Sequence, residues 1–189
     1  LLMALRGSVC LYEGEELGLP EADVPFELIQ DPYGKVFWPE FKGRDGCRTP
    51  IPWEKDKPNA GFSSANRTWL PIPREHVELA VSARGEQNPA TLIDDYRRFI
   101  RIRKEHAALR TGSLQLVETP GDILAFLRSD GAETILCVFN FGKEPARWRL
   151  PGHLTPHQTL AAAQAEDTGS TIALGPMGAI YITVTAGEG

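Results

Sequence analysis

The distribution of apolar and polar positions divides the chain into four stretches. Residues 1–12 begin with an apolar run that is typical of the end of a core helix. The strand predicted over residues 8–12 shows no alternation, which indicates burial on both faces, as in a parallel sheet. Residues 13–89 are rich in proline and glycine and show little periodicity. An irregular stretch of this length is usually functional when it is ordered inside a compact domain.

The third stretch, residues 90–106, has the periodicity of an amphipathic helix. Asn88 and Pro89 suit the N-cap and the first helical position. The apolar face comprises Leu92, Ile93, Tyr96, Phe99 and Ile100. Acidic residues near the start and basic residues near the end suit the helix dipole. We interpret the basic residues Arg101, Arg103 and Lys104 as a solvated helix face rather than an anion site.

The fourth stretch, from about residue 110 onward, has the pattern of short β-strands. Strands are predicted over residues 113–117, 123–127, 134–139, 146–150 and 179–184. Ser-Asp-Gly at residues 129–131 and Asn-Phe-Gly at residues 140–142 supply turns at the regular spacing of a sandwich. The pattern therefore predicts an all-β domain with a core of its own.

Composition and charge exclude several classes of protein. The chain has 189 residues and a formal net charge of -5, and it is 42% hydrophobic. Nucleic-acid and anionic-membrane surfaces need clustered Lys and Arg, so we expect no such partner. No apolar run approaches the ~20 residues of a bilayer span. Three widely spaced cysteines fit neither a disulfide framework nor a zinc site, so we expect a cytoplasmic location.

Carboxylates follow the first predicted strand directly, in Tyr-Glu-Gly-Glu-Glu-Leu-Gly at residues 12–18. Three carboxylates in one loop can perturb one another's pKa through like-charge repulsion. At the carboxyl end of a barrel strand they would face an active site. The alternative is that they hold the turn as hydrogen-bond acceptors, and the spacing alone favours this alternative.

A second group of charged and aromatic residues occupies residues 43–53, in Gly-Arg-Asp-Gly-Cys-Arg-Thr-Pro-Ile-Pro-Trp, with Asn-Ala-Gly-Phe-Ser at residues 59–63. Arg binds planar oxygen pairs bidentately and Trp offers an apolar face, so this group could bind carbohydrate. Alternatively, Arg44, Asp45 and Arg48 form local ion pairs that hold a long loop together. The histidines show no metal-ligand spacing, and no P-loop, dinucleotide fingerprint or G-x-S-x-G motif is present.

In this order and at these distances, the two motifs resemble signatures of the α-glucosidases of the α-amylase family. Residues 12–18 resemble YQGEELG, which follows the eighth barrel strand, and residues 43–53 and 59–63 resemble GRD-x-x-RTPMQW and NAGFS. Glu13 stands where the family has Gln, and Ile51-Pro52 replaces Met-Gln. The resemblance implies the C-terminal end of a (β/α)8 barrel over residues 1–109, with strand 8, a long loop subdomain and helix 8. An antiparallel β-sandwich would follow over residues 110–189.

The resemblance implies a retaining α-glucosidase that hydrolyses terminal α-linked glucose from maltose-like or sucrose-like sugars or from short oligosaccharides. The family's Asp nucleophile, its Glu acid/base and its Asn-His-Asp motif come from earlier barrel strands. No Asn-His-Asp occurs in this sequence, and the chain begins without Met in an apolar pattern. We therefore expect a fragment without catalytic residues, inactive alone, whose partners are the remainder of the enzyme or a second copy of itself.

Two residue roles are implied by the resemblance. Arg44 matches the Arg that helps to close the glucose pocket at the non-reducing end by pairing with an upstream Asp. Glu21, in the loop after strand 8, is expected to reach the bound sugar or its leaving group. Loop scaffolding is expected of Glu15, Glu16, Asp45, Arg48 and Trp53. We expect no cofactor and no metal in this segment, and a divalent cation in the remainder of the enzyme stays open.

Two other functions stay open. The chain could belong to a related α-glucosyl transferase or isomerase, or its β domain could be a carbohydrate-binding accessory module. Such a module would present coplanar aromatic rings on an exposed face. We expect the aromatic residues of the β domain to be mostly core: Phe126, Phe139, Phe141, Trp148 and Tyr181.

Overall fold

The computed structural model describes residues 1–84 and 92–187, and the chain divides into two compact units. One unit combines Leu1–Cys10 with Asp95–Gly189, and the other comprises Leu11–Asp94. The first unit contains the sheet, and the second contains the motifs that carry the candidate chemistry.

The first unit is built on a six-stranded antiparallel sheet. Its strands are β1 (Ser113–Val117), β2 (Ile123–Ser129), β3 (Thr134–Asn140), β4 (Ala146–Arg149), β5 (Leu154–Asp167) and β6 (Thr171–Ala186). The strand order is β1-β2-β3-β6-β4, and β5 pairs with β6. Residues 171–174 of β6 pair with β4, whereas residues 179–183 pair with β3. A single strand therefore belongs to both halves of the sheet.

The two halves of the sheet share one apolar core. The core residues are Ile123, Ala125, Leu127, Leu136, Val138, Trp148, Leu150, Leu154, Ile172, Leu174, Ile180, Ile182 and Val184. Between the halves, Gln164 and Met177 have positive φ. A Cβ on Gly178 would lie 2.5 Å from the carbonyl oxygen of Gln164, so this approach of the two backbones requires glycine. The predicted two-layer packing is thus formed by one continuous sheet.

The opposite face of β2, β3 and β6 packs against helices α3 (Leu92–Glu105) and α4 (Ala107–Thr111) and a 3-10 turn at Leu2–Ala4. The ring of Phe99 on α3 lies edge-on to Tyr181 on β6, with 4.8 Å between their centroids. Because both faces of β3 are covered, its residues form a continuous apolar run instead of an alternating one.

Two buried arginines connect these elements through backbone carbonyl groups. Arg103 donates to the carbonyl oxygens of Met3 (2.9 Å), Leu5 (2.7 Å), Leu109 (2.8 Å) and Gly7. Arg128 donates to those of Leu109 (2.9 Å), Gly112 (2.9 Å), Ser113 (3.0 Å) and Ala4. The prediction of a solvated Arg103 is wrong, because its guanidinium donates to three carbonyl groups of residues 3–7 and to the carbonyl group of Leu109 in α4, which lacks a helical partner.

Several predicted strands are confirmed and others are not. The prediction for β1 matches its bounds, and those for β2, β3 and β4 are within two residues at each end. The strand predicted over residues 8–12 is not formed. A barrel strand needs a neighbouring strand for its hydrogen bonds, and no strand among the described residues pairs with residues 8–12. β5 is missed because its Ala- and Gln-rich sequence has low strand propensity. β6 starts eight residues before the predicted 179 because Gly175, Pro176 and Gly178 interrupt the pattern.

The second unit is largely irregular, as predicted. It contains α1 (Pro32–Val36), α2 (Arg74–Glu78) and short 3-10 turns around a small core of Ala22, Val24, Ile29 and Leu70. Helix α3 confirms the predicted third stretch, and its expected capping residues, Asn88 and Pro89, lie outside the described residues. No helix among the described residues has both the length and the apolar character needed to cross a membrane.

Candidate functional site

The two loop segments that carry the candidate residues lie side by side. The backbone N–H of Ala22 donates to the carbonyl oxygen of Gly46 over 3.0 Å. A Cβ on Gly46 would lie 2.4 Å from the carbonyl oxygen of Ala22 and 2.7 Å from Cγ of Glu21. Only glycine allows this approach. Residues separated along the chain by more than 20 positions therefore form one surface.

Two buried carboxylates organise the backbone around this surface. Asp45 is 1% exposed, and its Oδ2 accepts from the backbone N–H groups of Gln30 (2.6 Å) and Asp31 (2.8 Å). Asp31 caps α1 through Oδ1, which accepts from Tyr33 N over 2.9 Å, and its Oδ2 accepts from Arg44 N over 3.0 Å. Asp45 is thus the loop scaffold that was predicted.

The pKa of Asp31 is held below its ordinary value. The largest cause is the hydrogen bond from the backbone N–H of Arg44, and burial opposes it. The backbone N–H groups of Tyr33 and Gly34 and the charge of Arg44 also favour the ionised carboxylate. Asp31 is therefore an anion at neutral pH, and it fixes the backbone from which the Arg44 side chain extends.

The guanidinium of Arg44 lies at the surface of this loop. Its Nε is 3.9 Å from Oδ2 of Asp31, and its side chain is 65% exposed. Arg48 approaches the same oxygen, with Nη1 at 4.0 Å and a side chain that is 38% exposed. Local ion pairs therefore exist, with Asp31 and not the predicted Asp45 as the acid. Because both guanidinium groups are partly exposed and lie at the limit of ion-pair distance, each pair contributes little, about 0–1 kcal/mol. Most of the Arg44 fork stays accessible to another acidic group or to a sugar hydroxyl.

Glu21 lines a cleft of about 270 Å³. Gly43 and Gly46, which flank Arg44 and Asp45 along the chain, line the same cleft. The structure thus brings Glu21 to the backbone of the Gly-Arg-Asp motif, and the Arg44 side chain is not among the groups that line the cleft.

One carboxylate of the acidic loop at residues 12–18 holds the turn as a hydrogen-bond acceptor, which is the alternative that the spacing favoured. Oε2 of Glu16 accepts from the backbone N–H of Gly14 over 3.1 Å. Gly14 and Gly18 flank a 3-10 turn, both with positive φ. Glu13 and Glu15 are exposed. Glu16 therefore stabilises the turn, as expected for loop scaffolding.

His76 is a positioning residue that the sequence did not reveal. It is 1% exposed, with Nδ1 3.1 Å from Oγ1 of Thr49 and Nε2 2.8 Å from the carbonyl oxygen of Pro20. It thereby connects the Gly-Arg-Asp loop to the residue before Glu21. No local pattern signals this role, because the contact spans 56 positions along the chain.

The aromatic residues of the β domain are mostly core. Phe126, Phe139, Trp148 and Tyr181 are buried, as expected, whereas Phe141 at the end of β3 is 48% exposed. Within residues 113–187 a single aromatic side chain is therefore exposed. A carbohydrate-binding module would present several coplanar rings, so this surface argues against an independent sugar-binding role for the β domain. No group of three or more potential metal-ligating side chains converges in residues 1–84 and 92–187.

Known families match both parts of the chain. The family described as "Alpha amylase, catalytic domain" matches residues 1–112, which is more than half of the sequence. The chain belongs to the α-amylase family. "Maltogenic Amylase, C-terminal domain" matches residues 114–180, so the β-sheet is the C-terminal domain of this family. The predicted fold class, the end of the catalytic domain followed by a β domain, is confirmed.

Relatives with different activities resemble the chain. It is 53% identical over 151 residues to the probable alpha-glucosidase of Rhizobium meliloti (strain 1021), covering 80% of this chain and 27% of that protein. The crystal structure of the alpha-glucosyl transfer enzyme XgtA is 40% identical with a TM-score of 0.81, covering 96% of this chain and 34% of that one. The trehalulose synthase MutB from Pseudomonas mesoacidophila MX-45 is 27% identical with a TM-score of 0.81, covering 97% and 37%. The chain thus spans roughly a third of the length of these relatives.

Proposed function

We propose that this chain is the C-terminal part of a retaining α-glucosidase that hydrolyses terminal α-linked glucose from maltose-like or sucrose-like sugars or short oligosaccharides. In this proposal the chain supplies loops that contact the sugar, together with the C-terminal domain, and the catalytic carboxylates come from the remainder of the enzyme. The observation that carries the proposal is the packing of the Gly-Arg-Asp loop against Glu21, because it brings the backbone of this motif next to Glu21.

The structure supports a defined role for Arg44. Its backbone is fixed by Asp31, while its guanidinium is mostly exposed. A guanidinium is always charged, and its planar fork can hold an acidic partner while it donates to a sugar hydroxyl. We assign Arg44 to the non-reducing end of the glucose pocket, paired with an Asp from the remainder of the enzyme. Glu21 would accept a hydrogen bond from a hydroxyl of the sugar or of its leaving group.

The first test uses the chain alone. Without an Asp nucleophile and a Glu acid/base held close together across the bond, hydrolysis with retention has no route. We expect no turnover of p-nitrophenyl α-glucoside by the purified 189-residue chain. Turnover that follows the protein peak through purification would overturn this assignment.

The second test is substitution of Arg44 in the complete enzyme. Arg44→Ala removes the hydrogen bonds to the sugar and leaves a buried acidic partner unpaired, a loss of roughly 2–5 kcal/mol. The loss should appear in kcat/KM for all α-glucosides alike, because the non-reducing glucose is common to them. Arg44→Lys should recover only part of it, because an ammonium cannot reproduce the fork.

The matched control is Arg48→Ala. Arg48 approaches the same Asp31 oxygen over nearly the same distance as Arg44. We expect this change to lower stability more than specificity. If Arg44→Ala instead lowers the melting temperature and leaves kcat/KM within about twofold, well under the ~1.4 kcal/mol of a tenfold change, Arg44 holds the loop and the pocket assignment is wrong.

A related transferase or isomerase is the second candidate. It is favoured by the 40% identity to an alpha-glucosyl transfer enzyme and by the similarity to a trehalulose synthase. Product analysis of the complete enzyme with sucrose and with maltose separates the two candidates. A hydrolase releases free monosaccharides, whereas a transferase or isomerase yields new glucosides.

A further inference from the structure

Helix α1 carries an exposed apolar surface in the second unit, which we call the loop unit. Tyr33, Val36 and Phe37 follow the i, i+3, i+4 spacing of one helix face, with Phe37 at the C-cap. Phe41 follows them, because its backbone N–H donates to the carbonyl oxygen of Phe37 over 3.0 Å. The four residues are between 47% and 74% exposed. We call them the α1 surface.

The α1 surface is flat and its backbone is held in place. The rings of Tyr33 and Phe37 are nearly parallel, with their planes at 7° and their centroids 6.3 Å apart. Asp31 caps the start of the helix. Gly34 is buried against the following loop, where an added Cβ would lie 2.5 Å from the carbonyl oxygen of Lys42. Because the backbone is already ordered, a partner that covers these rings pays little conformational entropy.

The exposed area of the α1 surface suits an interaction site. Aromatic side chains bury about 150–250 Å² each, so the three partly exposed rings and Val36 leave roughly 400 Å² open to solvent. The largest apolar patch on a monomer is ≈ 300–600 Å² and is often functional. Two copies of this surface face to face would bury about 800 Å², and a polar rim brings the total toward the ~1,200 Å² at which specific interfaces begin. The area therefore suits a weak, reversible dimer.

The orientation of α1 favours a second copy of the chain over the remainder of the enzyme. Gly34 packs on Lys42 and Gly43, the residues that precede Arg44. The exposed residues of α1 are turned away from this contact, because successive helix positions differ by about 100°. In the proposed function, the remainder of the enzyme meets the loop unit at Arg44 and Glu21. The α1 surface is then left for another partner.

The charges beside the α1 surface permit two copies to pair. Lys35 and Glu40 are both exposed, and neither has an ion-pair partner within residues 1–84 and 92–187. In a two-fold interface every contact between different residues occurs twice, once in each direction. Opposite charges in one segment therefore attract across such an interface, whereas charges of a single sign would repel.

We propose that the α1 surface is the two-fold interface of a homodimer of the complete enzyme. Tyr33 and Phe37 pack against the same residues of the second copy, near the two-fold axis, and Val36 and Phe41 form the apolar border. This inference goes beyond the proposed function, because it requires no particular substrate or product.

The first test measures the mass of the complete enzyme by sedimentation velocity and light scattering. We expect a dimer that dissociates on dilution through the micromolar range, as interfaces of modest area do. Phe37→Glu places a charge in each half of the interface and should raise the dissociation constant at least ~100-fold. Tyr33→Ala removes apolar contact without adding charge and should raise the constant about tenfold.

Trp69→Glu is the matched control. Trp69 is an aromatic residue of the same unit, 71% exposed, and it lies outside the α1 surface. We expect this variant to dimerise as the parent enzyme does. All three variants should keep the far-UV circular dichroism of the parent, because the replaced side chains are exposed.

A cross-link tests the same contact without a new charge. In a background without other exposed cysteines, with Cys10 and Cys47 replaced by serine, Phe37→Cys should give a disulfide-linked dimer under mild oxidation. Residues beside a two-fold axis lie opposite their own copies, so the two thiols can meet. Trp69→Cys in the same background should stay monomeric on a denaturing gel. If Phe37→Glu fails to fold, this cross-link decides.

The outcomes are distinct. Loss of the dimer in Phe37→Glu but not in Trp69→Glu supports the proposal, as does the cross-link at position 37. A dimer that Phe37→Glu leaves intact is held by another interface and overturns it. A monomeric parent enzyme overturns it as well, and a Phe37→Cys thiol that is then shielded from Ellman's reagent shows that the remainder of the enzyme covers the α1 surface. None of these results depends on sugar hydrolysis, so the proposed function is tested separately.

Discussion

Replacement of Arg128 by methionine should destabilise the sheet unit severely. Arg128 is fully buried on β2, and it donates to the carbonyl groups of Ala4, Leu109, Gly112 and Ser113. Methionine has a similar length and no donor. Leu109 would keep its hydrogen bond from Arg103, so three carbonyl groups would lose a charged donor.

The magnitude follows from those three carbonyl groups. A buried acceptor left without its donor costs about 1–3 kcal/mol, so the gross cost is roughly 3–9 kcal/mol. Burial of the guanidinium itself carries a desolvation cost of several kcal/mol, and this cost is absent when the buried side chain is methionine. We therefore expect a net loss of about 2–5 kcal/mol, a large part of the 5–15 kcal/mol that typically stabilises a domain.

The assay is hydrogen–deuterium exchange of peptides from β2 and β3 in increasing urea, which reports the free energy of unfolding of this unit alone. Arg128→Lys should fall between the parent and Arg128→Met, because one ammonium cannot reach all four carbonyl groups. The control is Arg149→Met on β4, where the side chain is exposed and the change should stay within ±0.5 kcal/mol. A loss below about 1 kcal/mol in Arg128→Met would refute this reasoning, because water or a shifted backbone would then satisfy the carbonyl groups.

Three further predictions concern the loop unit and the buried thiol. Gly46→Ala should push the Glu21 loop away and lower both the stability and the proposed α-glucosidase activity of the complete enzyme, whereas Gly152→Ala, where nothing lies within 4 Å of the added Cβ, should be neutral in the same two assays. The lowered pKa of Asp31 means that its contribution to loop stability is present above its ordinary value of 3.8 and is lost as pH falls through the lower folded value. Tryptophan fluorescence of the loop unit in an acid titration should show this loss, and Asp31→Asn should weaken the dependence. Burial raises the pKa of the Cys137 thiol far above its usual range, so it should resist Ellman's reagent until urea unfolds the sheet, while the other two cysteines, both exposed, react at once.

The elements with a strong local signal could be predicted from the sequence. Alternating or continuous apolar runs between turn residues located β1, β2 and β3 closely. The side chains of β2 and β3 pack on one or two buried faces, whereas those of β1 are mostly exposed. β5 could not be predicted, because its residues have low intrinsic strand propensity. They form a strand by pairing along β6. Residues 8–12 show the reverse case, a strand-like sequence that forms no strand without neighbours.

Only part of the candidate site could be predicted from the sequence. The motifs identified Arg44 and Glu21 as residues of interest, but not the contact at Gly46 that joins their loops. The burial of Arg103 and of His76 could not be predicted either, because both side chains hydrogen-bond to backbone carbonyl groups that tertiary packing brings near. Polar residues that serve distant backbone groups leave no periodic signal in a single sequence.

The position of β6 in the sheet constrains the order in which the strands of the first unit can pair during synthesis. β6 pairs with β3, β4 and β5, and it is the last strand of the described chain. β1, β2 and β3 can form a local meander as they leave the ribosome, but β4 has no partner until β6 has been made. The apolar edge of β3 stays unpaired over the same interval and is then open to association with other nascent chains. A ribosome that pauses between β3 and β6 would therefore lengthen the period in which this chain is most prone to aggregate.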